Sequence, residues 1–309
     1  MKSDIIASVI YLKNKVHKWR NISALLFFFS LALVFKFTFF SSNLEVESIT
    51  SYIAKIEIND VIFEDDHRSQ VLRKLASQDS TKAVLVKISS PGGGIVGSEI
   101  LYRDLLAISQ KKPLVVLMGS VAASGAYMAA LASDHILAHN GTLTGSIGVL
   151  MQLPNASELA KKIGISNRSF KSSPIKGYPS LTEESNSEYD KIIQSSINDS
   201  YNFFADLVKK RRSTKLKHEY MSEIFDGRIF TGRQALEVGL IDGIGLEDDA
   251  LQYLITQNPK LKDLPLREIS IVKKEDKFTD RLIGKLPFLK SLLTESSIYR
   301  DYDIMAIMR

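Results

Sequence analysis

The stretch at residues 113–130 constrains the fold more than any other part of the chain. Pro113 precedes the apolar run Leu114 to Met118, and mostly small residues then occupy positions 119–125. A short apolar run between a proline and a glycine is typical of a buried strand, and the alanine-rich sequence after it favours a helix. We therefore expect a strand, a tight turn at 119–125 and a helix, with Ser124 at the junction, where open α/β sheets place functional groups.

Strand-like and helix-like patterns alternate along most of the chain. This alternation predicts an α/β fold assembled from parallel βαβ units. Farther along, an irregular loop is expected at 170–180, and residues 183–211 are predicted to form one long helix with Thr182 as its N-cap. The predicted strands are 52–58, 82–88, 114–118 and 135–138.

Composition excludes several kinds of site. The chain has no cysteine, which rules out disulfides, a cysteine nucleophile and zinc–thiolate sites. The net charge of +5 is mild and no long Lys/Arg block occurs, so nucleic-acid binding is not indicated. The sequence gives no reason to expect a metal or a cofactor.

The N-terminal region combines a basic segment with an apolar one. Residues 1–21 carry several lysines, and residues 22–40 are almost entirely apolar apart from Lys36. This length matches the ~20 residues that cross a bilayer as a helix, and the basic segment predicts that the N-terminus stays inside. A cleavable signal peptide and a buried core helix are the alternatives.

Three further segments follow the predicted anchor. Residues 41–51 are a polar connector, residues 52–257 hold the alternating pattern of the main domain, and residues 258–309 form a C-terminal tail. Within the tail, residues 277–293 mix apolar and basic side chains. This pattern suits either an ordinary packing helix or one that lies on a membrane surface.

A serine hydroxyl is a weak nucleophile and needs a base. None of the five histidines has a setting that demands a catalytic role. Lys176, in a loop with apolar neighbours, is a candidate base, because burial favours the neutral amine that a lysine base requires. Ser146 is a candidate hydroxyl for orienting that amine, whereas a solvated loop lysine is the alternative reading of Lys176. The histidines are His17, His67, His135, His139 and His218.

Residues 90–94, Ser-Pro-Gly-Gly-Gly, follow a predicted strand. Glycines allow unusual backbone angles and close approach of the backbone to a ligand. The N–H groups of Gly93 and Gly125 could together receive an oxyanion. The alternative is that these glycines form only a turn.

Four motifs in order identify a resemblance. They are Ser-Ser-Pro-Gly-Gly-Gly at 89–94, Gly-Ser-Val-Ala-Ala-Ser-Gly-Ala-Tyr at 119–127, Thr-Leu-Thr-Gly-Ser-Ile-Gly-Val at 142–149 and Asp-Gly-Arg-Ile-Phe-Thr-Gly-Arg-Gln-Ala at 226–235. Together they resemble the signal peptide peptidase A family of Ser/Lys-dyad serine peptidases, in its short, single-unit form. The resemblance covers about residues 52–257 and implies a Clp protease/crotonase-like α/β fold.

Carried over by position, the family's functional residues fall on the candidates above. The resemblance implies Ser124 as nucleophile, Lys176 as general base and acid, and Ser146 as the residue that orients the lysine. It implies Gly93 and Gly125 as the oxyanion hole.

One departure from the family pattern concerns the loop of the base. The family usually has an acidic residue directly after the lysine, where this chain reads Lys176-Gly-Tyr-Pro179. The lysine itself is present, so the difference concerns the contacts of the loop rather than the reacting amine. Lys171, in the same loop, is the competing candidate.

The resemblance also implies a function and a location. The substrates would be remnant signal peptides and other apolar peptides released into the lipid bilayer after preproteins are cut. The enzyme would sit in the bacterial cytoplasmic membrane as a single-pass protein, with the catalytic domain on the outer side. A homo-oligomer is implied, in which dyad partners can come from neighbouring protomers.

Two other functions compete with this one. A Clp-like peptidase with a Ser/His/Asp triad would need its histidine some 25 residues beyond the serine, where this chain has Val149. An anchored scaffold protein could keep the fold without any catalytic activity.

Overall fold

The computed structural model describes residues 13, 15–32 and 50–272, together with the backbone of 305–307. The chain divides into two compact units, Met1–Thr50 and Ser51–Arg309. In the first unit, residues 15–32 are helical (α1). No helix within the described ranges is both long and apolar enough to cross a membrane. Residues 33–40 of the predicted anchor lie outside the described residues.

The second unit alternates strands and helices, as its sequence predicts. The strands are β1 Tyr52–Asn59, β2 Thr81–Ser90, β3 Gly92–Gly94, β4 Leu114–Ala123, β5 His135–Ala138, β6 Leu143–Gly145, β7 Ile229–Thr231, β8 Gly243–Ile244, β9 Leu266–Glu268 and β10 Met305–Ile307. The helices are α2 Asp66–Ser77, α3 Ile95–Ser109, α4 Gly125–Ala130, α5 Ser157–Lys162, α6 Ser187–Arg212, α7 Met221–Ile224, α8 Gly232–Val238 and α9 Glu247–Gln257.

Strand β4 organises the main sheet. The sheet runs in the order β7-β6-β4-β2-β1-β9, and β5 joins β4 on one side and β8 on the other. The first half of β4 pairs with β5 and its second half with β6, so one long strand serves two short neighbours. The pairs within this sheet are parallel except β6 with β7. The predicted α/β class with a mostly parallel sheet is confirmed.

Apolar side chains fill both faces of the central strands. Val116 and Met118 of β4 lie in the larger core cluster together with residues of α2, α3 and α4. Val115 and Leu117 point to the other face, where Leu254 of α9 completes a second cluster. Burial on both faces explains why these strands appear in the sequence as continuous apolar runs rather than alternating ones.

Strand β4 is longer than the sequence indicated. The predicted turn at 119–125 is wrong, because β4 continues to Ala123. Ala122 and Ala123 pair with Thr144 and Gly145 of β6, a strand that the sequence did not predict. The extension carries Ser124 to the tip of the strand rather than into a loop.

The long helix α6 begins later than expected. It starts at Ser187 with Asn186 as its N-cap, and the Asn186 side chain accepts hydrogen bonds from two backbone N–H groups of the first turn. The predicted cap at Thr182 is wrong. Glu183, which was expected in that first turn, instead forms an ion pair with Lys171.

Part of the C-terminal tail belongs to the main sheet. Strand β9 pairs in parallel with β1, C-terminal to the predicted domain boundary at residue 257. The predicted packing or membrane-surface helix at 277–293 lies outside the described residues.

A buried ion pair fixes the C-terminal end of α6 to the sheet. Arg212 Nη1 lies 2.9 Å from an Asp242 carboxylate oxygen, and both side chains are less than a tenth exposed. Asp242 also accepts hydrogen bonds from the Ile136 N–H and from Lys215. Burial alone would raise the pKa of Asp242, but the hydrogen bonds and charge of Arg212, with those other donors, outweigh burial and hold it below its ordinary value.

Replacing Asp242 tests this pair. We expect Asp242→Asn to lower the free energy of unfolding by about 3–5 kcal/mol at pH 7, because it leaves the Arg212 charge buried without its partner. Since the folded-state pKa of Asp242 is depressed, the stabilisation is complete above the unfolded-state value and is lost as the pH falls through the folded-state value. The difference in free energy of unfolding between wild type and Asp242→Asn, measured by chemical denaturation, should therefore become smaller below about pH 4.

Lys215→Met is the matched control for this prediction. Lys215 contacts the same carboxylate, but its side chain is 43% exposed, so its loss should cost at most about 1 kcal/mol. The assigned role of Asp242 would be contradicted if the two substitutions lowered the free energy of unfolding equally. It would also be contradicted if the difference between wild type and Asp242→Asn did not change with pH.

Candidate active site

Ser124 links β4 to α4 in a strained backbone conformation. Its φ is 55° and its ψ is −121°, angles that a residue with a side chain rarely adopts. Such a conformation costs roughly 1–3 kcal/mol and persists only where the surroundings impose it. Here the Ser124 N–H donates to the Gly145 carbonyl at 2.8 Å, and the Ser124 carbonyl accepts from the Met128 N–H at 2.9 Å.

The Ser124 hydroxyl is buried and unpartnered within the described part of the chain. Ser124 is 1% exposed, and no group among the described residues hydrogen-bonds to its Oγ. A buried polar atom left unpaired typically costs about 1–3 kcal/mol, so few native structures keep one without a use. This oxygen is available to a base or to the carbon of a bound carbonyl.

Ser146 lies beside Ser124 at the end of the neighbouring strand. The register of the parallel pair β4–β6 aligns Ala123 with Gly145, and each serine follows its aligned residue. Ser146 also has a positive φ, of 49°, and its N–H donates to the Arg228 carbonyl at 2.8 Å. The two serines therefore lie at the ends of adjacent strands.

Strand β3 supplies the glycine edge of the site. The Ile62 N–H donates to the Gly92 carbonyl, and the Gly94 N–H donates to the Ile62 carbonyl. A Cβ on Gly93 would lie 1.9 Å from the Ile62 carbonyl oxygen, so only glycine fits there. Strand β3 contacts α4, the helix that begins at Gly125, and the Gly125 N–H at the first position of that helix has no acceptor within the helix.

The structure does not join Lys176 to Ser124 within one chain. Lys176 lies exposed in the 170–180 loop, and its backbone N–H donates to the Ser173 carbonyl. Lys171, the competing candidate, is engaged by the Glu183 carboxylate. Hydrogen bonds from Lys171 and from a nearby serine hold the pKa of Glu183 below its ordinary value. The structure therefore places Ser124 and Ser146 at the ends of adjacent strands, and Gly93 and Gly125 on two elements in contact, β3 and α4. Neither lysine hydrogen-bonds to Ser124 Oγ.

The segment at residues 150–186, which we call the arm, exposes apolar side chains. Phe170 is 87% exposed, an unusual state for an aromatic residue. A cavity of about 290 Å³ lies where the arm meets α6, and none of the predicted site residues lines it. The arm's other large exposed apolar residues are Leu153, Leu159, Ile163, Ile165 and Leu181.

Sequence reasoning missed two parts of the site. Ile62 positions the glycine edge through its backbone alone, so its side chain gives no signal. The Arg228 carbonyl, which receives the Ser146 N–H, lies in a recognised motif but likewise acts through its main chain.

Comparison with known proteins identifies the family. Residues 107–260 match the model of peptidase family S49. A Synechocystis sp. protein that carries the name "Putative protease" is 41% identical over 206 residues, covering 66% of this chain and 73% of that protein. The chain belongs to peptidase family S49. It is therefore a serine peptidase, and the resemblance drawn from its motifs is confirmed.

Further proteins similar to this S49 peptidase differ in how much of their own length the match covers. An Enterococcus faecium protein named "Putative signal peptide peptidase SppA" is 35% identical over 198 residues, which are 64% of this chain and 57% of that protein. Among solved structures, a mutant of the membrane-bound stomatin-specific protease 1510-N is 16% identical with a TM-score of 0.45. The match covers 72% of this chain and 98% of that protein's chain.

Gly93 offers a direct test of the glycine edge in this S49 peptidase. We expect Gly93→Ala to lower the hydrolysis rate of an apolar peptide at least about 10²-fold, the typical effect of losing one oxyanion donor, which is the role predicted for Gly93. The physical reason is the collision of the new Cβ with the Ile62 carbonyl, which must displace β3.

Gly141→Ala is its control, because a Cβ there has no neighbour within 4 Å. That variant should keep wild-type activity and wild-type thermal unfolding. If Gly93→Ala kept full activity, the assignment of Gly93 to the active site would be wrong. Thermal unfolding of the same samples shows whether an inactive Gly93→Ala protein is folded with a displaced β3 or has not folded.

Proposed function

We propose that this S49 peptidase hydrolyses peptides with a Ser/Lys dyad made of Ser124 and Lys176. The observation that carries the proposal is the buried Ser124 Oγ, which has no hydrogen-bond partner within the described part of the chain and lies on a strained backbone directly before Gly125. Ser146 would orient the lysine amine, and the Gly93 and Gly125 N–H groups would form the oxyanion hole. No histidine follows Ser124 at the spacing of a Clp-type triad, which favours lysine as the base.

The reaction would proceed in two steps, acylation of Ser124 and hydrolysis of the acyl-enzyme. The neutral Lys176 amine takes the proton of Ser124 Oγ, which attacks the scissile carbonyl carbon, and the carbonyl oxygen becomes an oxyanion held by the two N–H groups. The C–N bond then breaks as Lys176 returns its proton to the leaving amine. Water attacks the acyl-enzyme with Lys176 again as base, releasing the acid product and Ser124.

We propose that a second copy of the chain supplies Lys176. Within one chain the lysine is exposed, and the serine oxygen has no partner among the described residues, so a lysine from another protomer would complete the site. The apolar residues of the arm give a reason for association, since burying them against a second copy would remove them from water.

Membrane-derived peptides are the proposed substrates, with remnant signal peptides as the main class. The apolar residues 22–40 would anchor the enzyme as a single-pass protein of the bacterial cytoplasmic membrane. The basic segment before them would stay inside, placing the peptidase domain of residues 52–257 on the outer side. Such an anchor would hold the site near apolar peptides left in the bilayer.

Labelling with a fluorophosphonate probe tests the dyad. The probe reacts with an activated serine, so we expect wild-type protein to be labelled and Ser124→Ala to be unlabelled. Lys176→Ala should lose labelling too and should lower kcat/KM for an apolar peptide at least about 10³-fold. Lys171→Ala is the matched lysine control and should change little.

The outcomes separate the competing assignments. If only Lys171→Ala is inactive, the base is Lys171. If folded wild-type protein is not labelled and cleaves no peptide, the chain is an inactive scaffold of the same fold.

Mixing two inactive proteins tests whether the dyad forms between copies. A protomer with Lys176→Ala retains Ser124, and one with Ser124→Ala retains Lys176. If the partners come from different copies, mixing the proteins under conditions that exchange subunits should restore peptide cleavage. Each variant alone should stay inactive, and a mixture as inactive as its parts would place both residues in one chain.

A further inference from the structure

The turn that carries Lys176 is tied to the start of α6 by one side chain. The Tyr178 hydroxyl donates a hydrogen bond to the Asp190 carboxylate and accepts one from the Asn186 backbone N–H at 3.0 Å. The Tyr178 ring also contacts the Tyr189 ring edge to face, with the ring centroids 5.4 Å apart. Tyr178 therefore fixes the arm to the N-cap and the first turn of α6.

Lys176 shares these contacts because its backbone and that of Tyr178 belong to one compact turn. The Tyr178 N–H donates to the Ile175 carbonyl at 3.0 Å, and the Lys176 N–H donates to the Ser173 carbonyl at 3.1 Å. Each bond joins a residue to the one three positions before it, as in a β-turn. A displacement of Tyr178 therefore moves the lysine that lies two residues before it.

Helix α6 connects this turn to the core of the same chain. All buried residues of α6 lie between Phe204 and Arg212, in its C-terminal part. In that part Arg211 also donates to the Leu131 carbonyl, at the end of α4, at 2.7 Å. At 1.5 Å per residue, Asp190 lies about 20 Å along the helix axis from Phe204. The helix thus holds the turn at a set distance from its packed end.

The acids of the arm leave the amine of Lys176 unpaired. Lys161 pairs with Glu184 and Lys171 with Glu183, whereas no carboxylate in the described part of the chain pairs with Lys176. A carboxylate partner would stabilise the ammonium form of a lysine, which cannot act as a base. The arm therefore presents the Lys176 amine without an acid that would keep it protonated.

We propose that Tyr178 is the positioning residue of the base: its hydroxyl holds the Lys176 turn on α6 and thereby sets where the lysine amine meets the Ser124 hydroxyl. This inference rests on the proposed function, because it assumes that Lys176 is the base. Placement of a reacting group decides much of its effect, and a displacement of about 1 Å can cost up to about 10²-fold in rate. The hydrogen bonds of the Tyr178 hydroxyl are exposed, so their loss should displace the turn without unfolding the domain.

The test compares two tyrosines in the full-length protein. Tyr178→Phe keeps the ring and removes the hydroxyl. We expect it to lower kcat for an apolar peptide about tenfold with little change in KM, because the turn carries the base and no part of the glycine edge. Tyr189→Phe is the matched control, since the Tyr189 hydroxyl has no hydrogen bond among the described residues, and it should keep the wild-type kcat. A Tyr178→Phe protein with the wild-type kcat overturns the proposal.

Replacing the acceptor of the hydroxyl gives an independent test. Asp190→Ala removes the carboxylate that receives the Tyr178 hydroxyl, so it should lower kcat in the same way. Asp190→Asn keeps an acceptor oxygen at that position and should retain most of the wild-type activity. If Asp190→Ala kept the wild-type kcat, or if Asp190→Asn lost as much activity as Asp190→Ala, the tyrosine would not act through this contact and the proposal would be wrong.

Amide hydrogen exchange separates this inference from the proposed function. In Tyr178→Phe, residues 173–178 should exchange faster than in wild type, while the exchange of β4 and the thermal unfolding stay unchanged. A lower kcat without faster exchange would overturn the anchoring role. If Lys176→Ala is inactive and Tyr178→Phe is fully active, the base assignment is kept and the positioning role is lost. If Lys176→Ala keeps full activity, the proposed dyad itself is wrong, and this inference with it.

Discussion

The hydrogen bond from the Ser124 N–H to the Gly145 carbonyl is the contact on which the rest of the site depends. It continues the β4–β6 pairing one residue past the end of β4, and so holds Ser124 in a backbone conformation that it would not adopt alone. The same register places Ser146 on the adjacent strand tip. Without β6, the reversal from β4 into α4 would lose its support, and the hydroxyl would have no fixed direction.

The glycine edge depends on a second backbone contact of the same kind. Ile62 lies in the segment after β1 and holds Gly92 and Gly94 by two hydrogen bonds, which leaves Gly93 facing the opposite edge. The fit is close enough to exclude any side chain at Gly93. The sheet therefore positions the nucleophile and the proposed oxyanion donor through main-chain groups, and side chains contribute mainly by burying the strands that carry them.

This dependence on the main chain explains what the sequence could predict. Strand-like patterns located β1, β2, β4 and β5, because burial leaves a pattern in residue type. The short strands β6 and β7 were not predicted, because three-residue strands are stabilised by their neighbours rather than by local residue preference. The start of α6 was misplaced because Asn186 and Thr182 are both acceptable caps. The structure uses Asn186, whose side chain accepts two N–H groups of the first turn, while Glu183 pairs with Lys171 before the helix begins.

The candidate site combines two regions that are stabilised differently. Ser124 and the glycines belong to a densely packed core, whereas Lys176 lies on an arm whose ion pairs include the exposed pair Lys161–Glu184. Exposed ion pairs contribute little to stability, so the arm is easier to move than the core. A nucleophile fixed by packing and a base carried on an adjustable surface segment would make catalysis sensitive to whatever orders that segment. Association with another copy is such an influence, since it would bury the arm and bring an amine to the serine in one event.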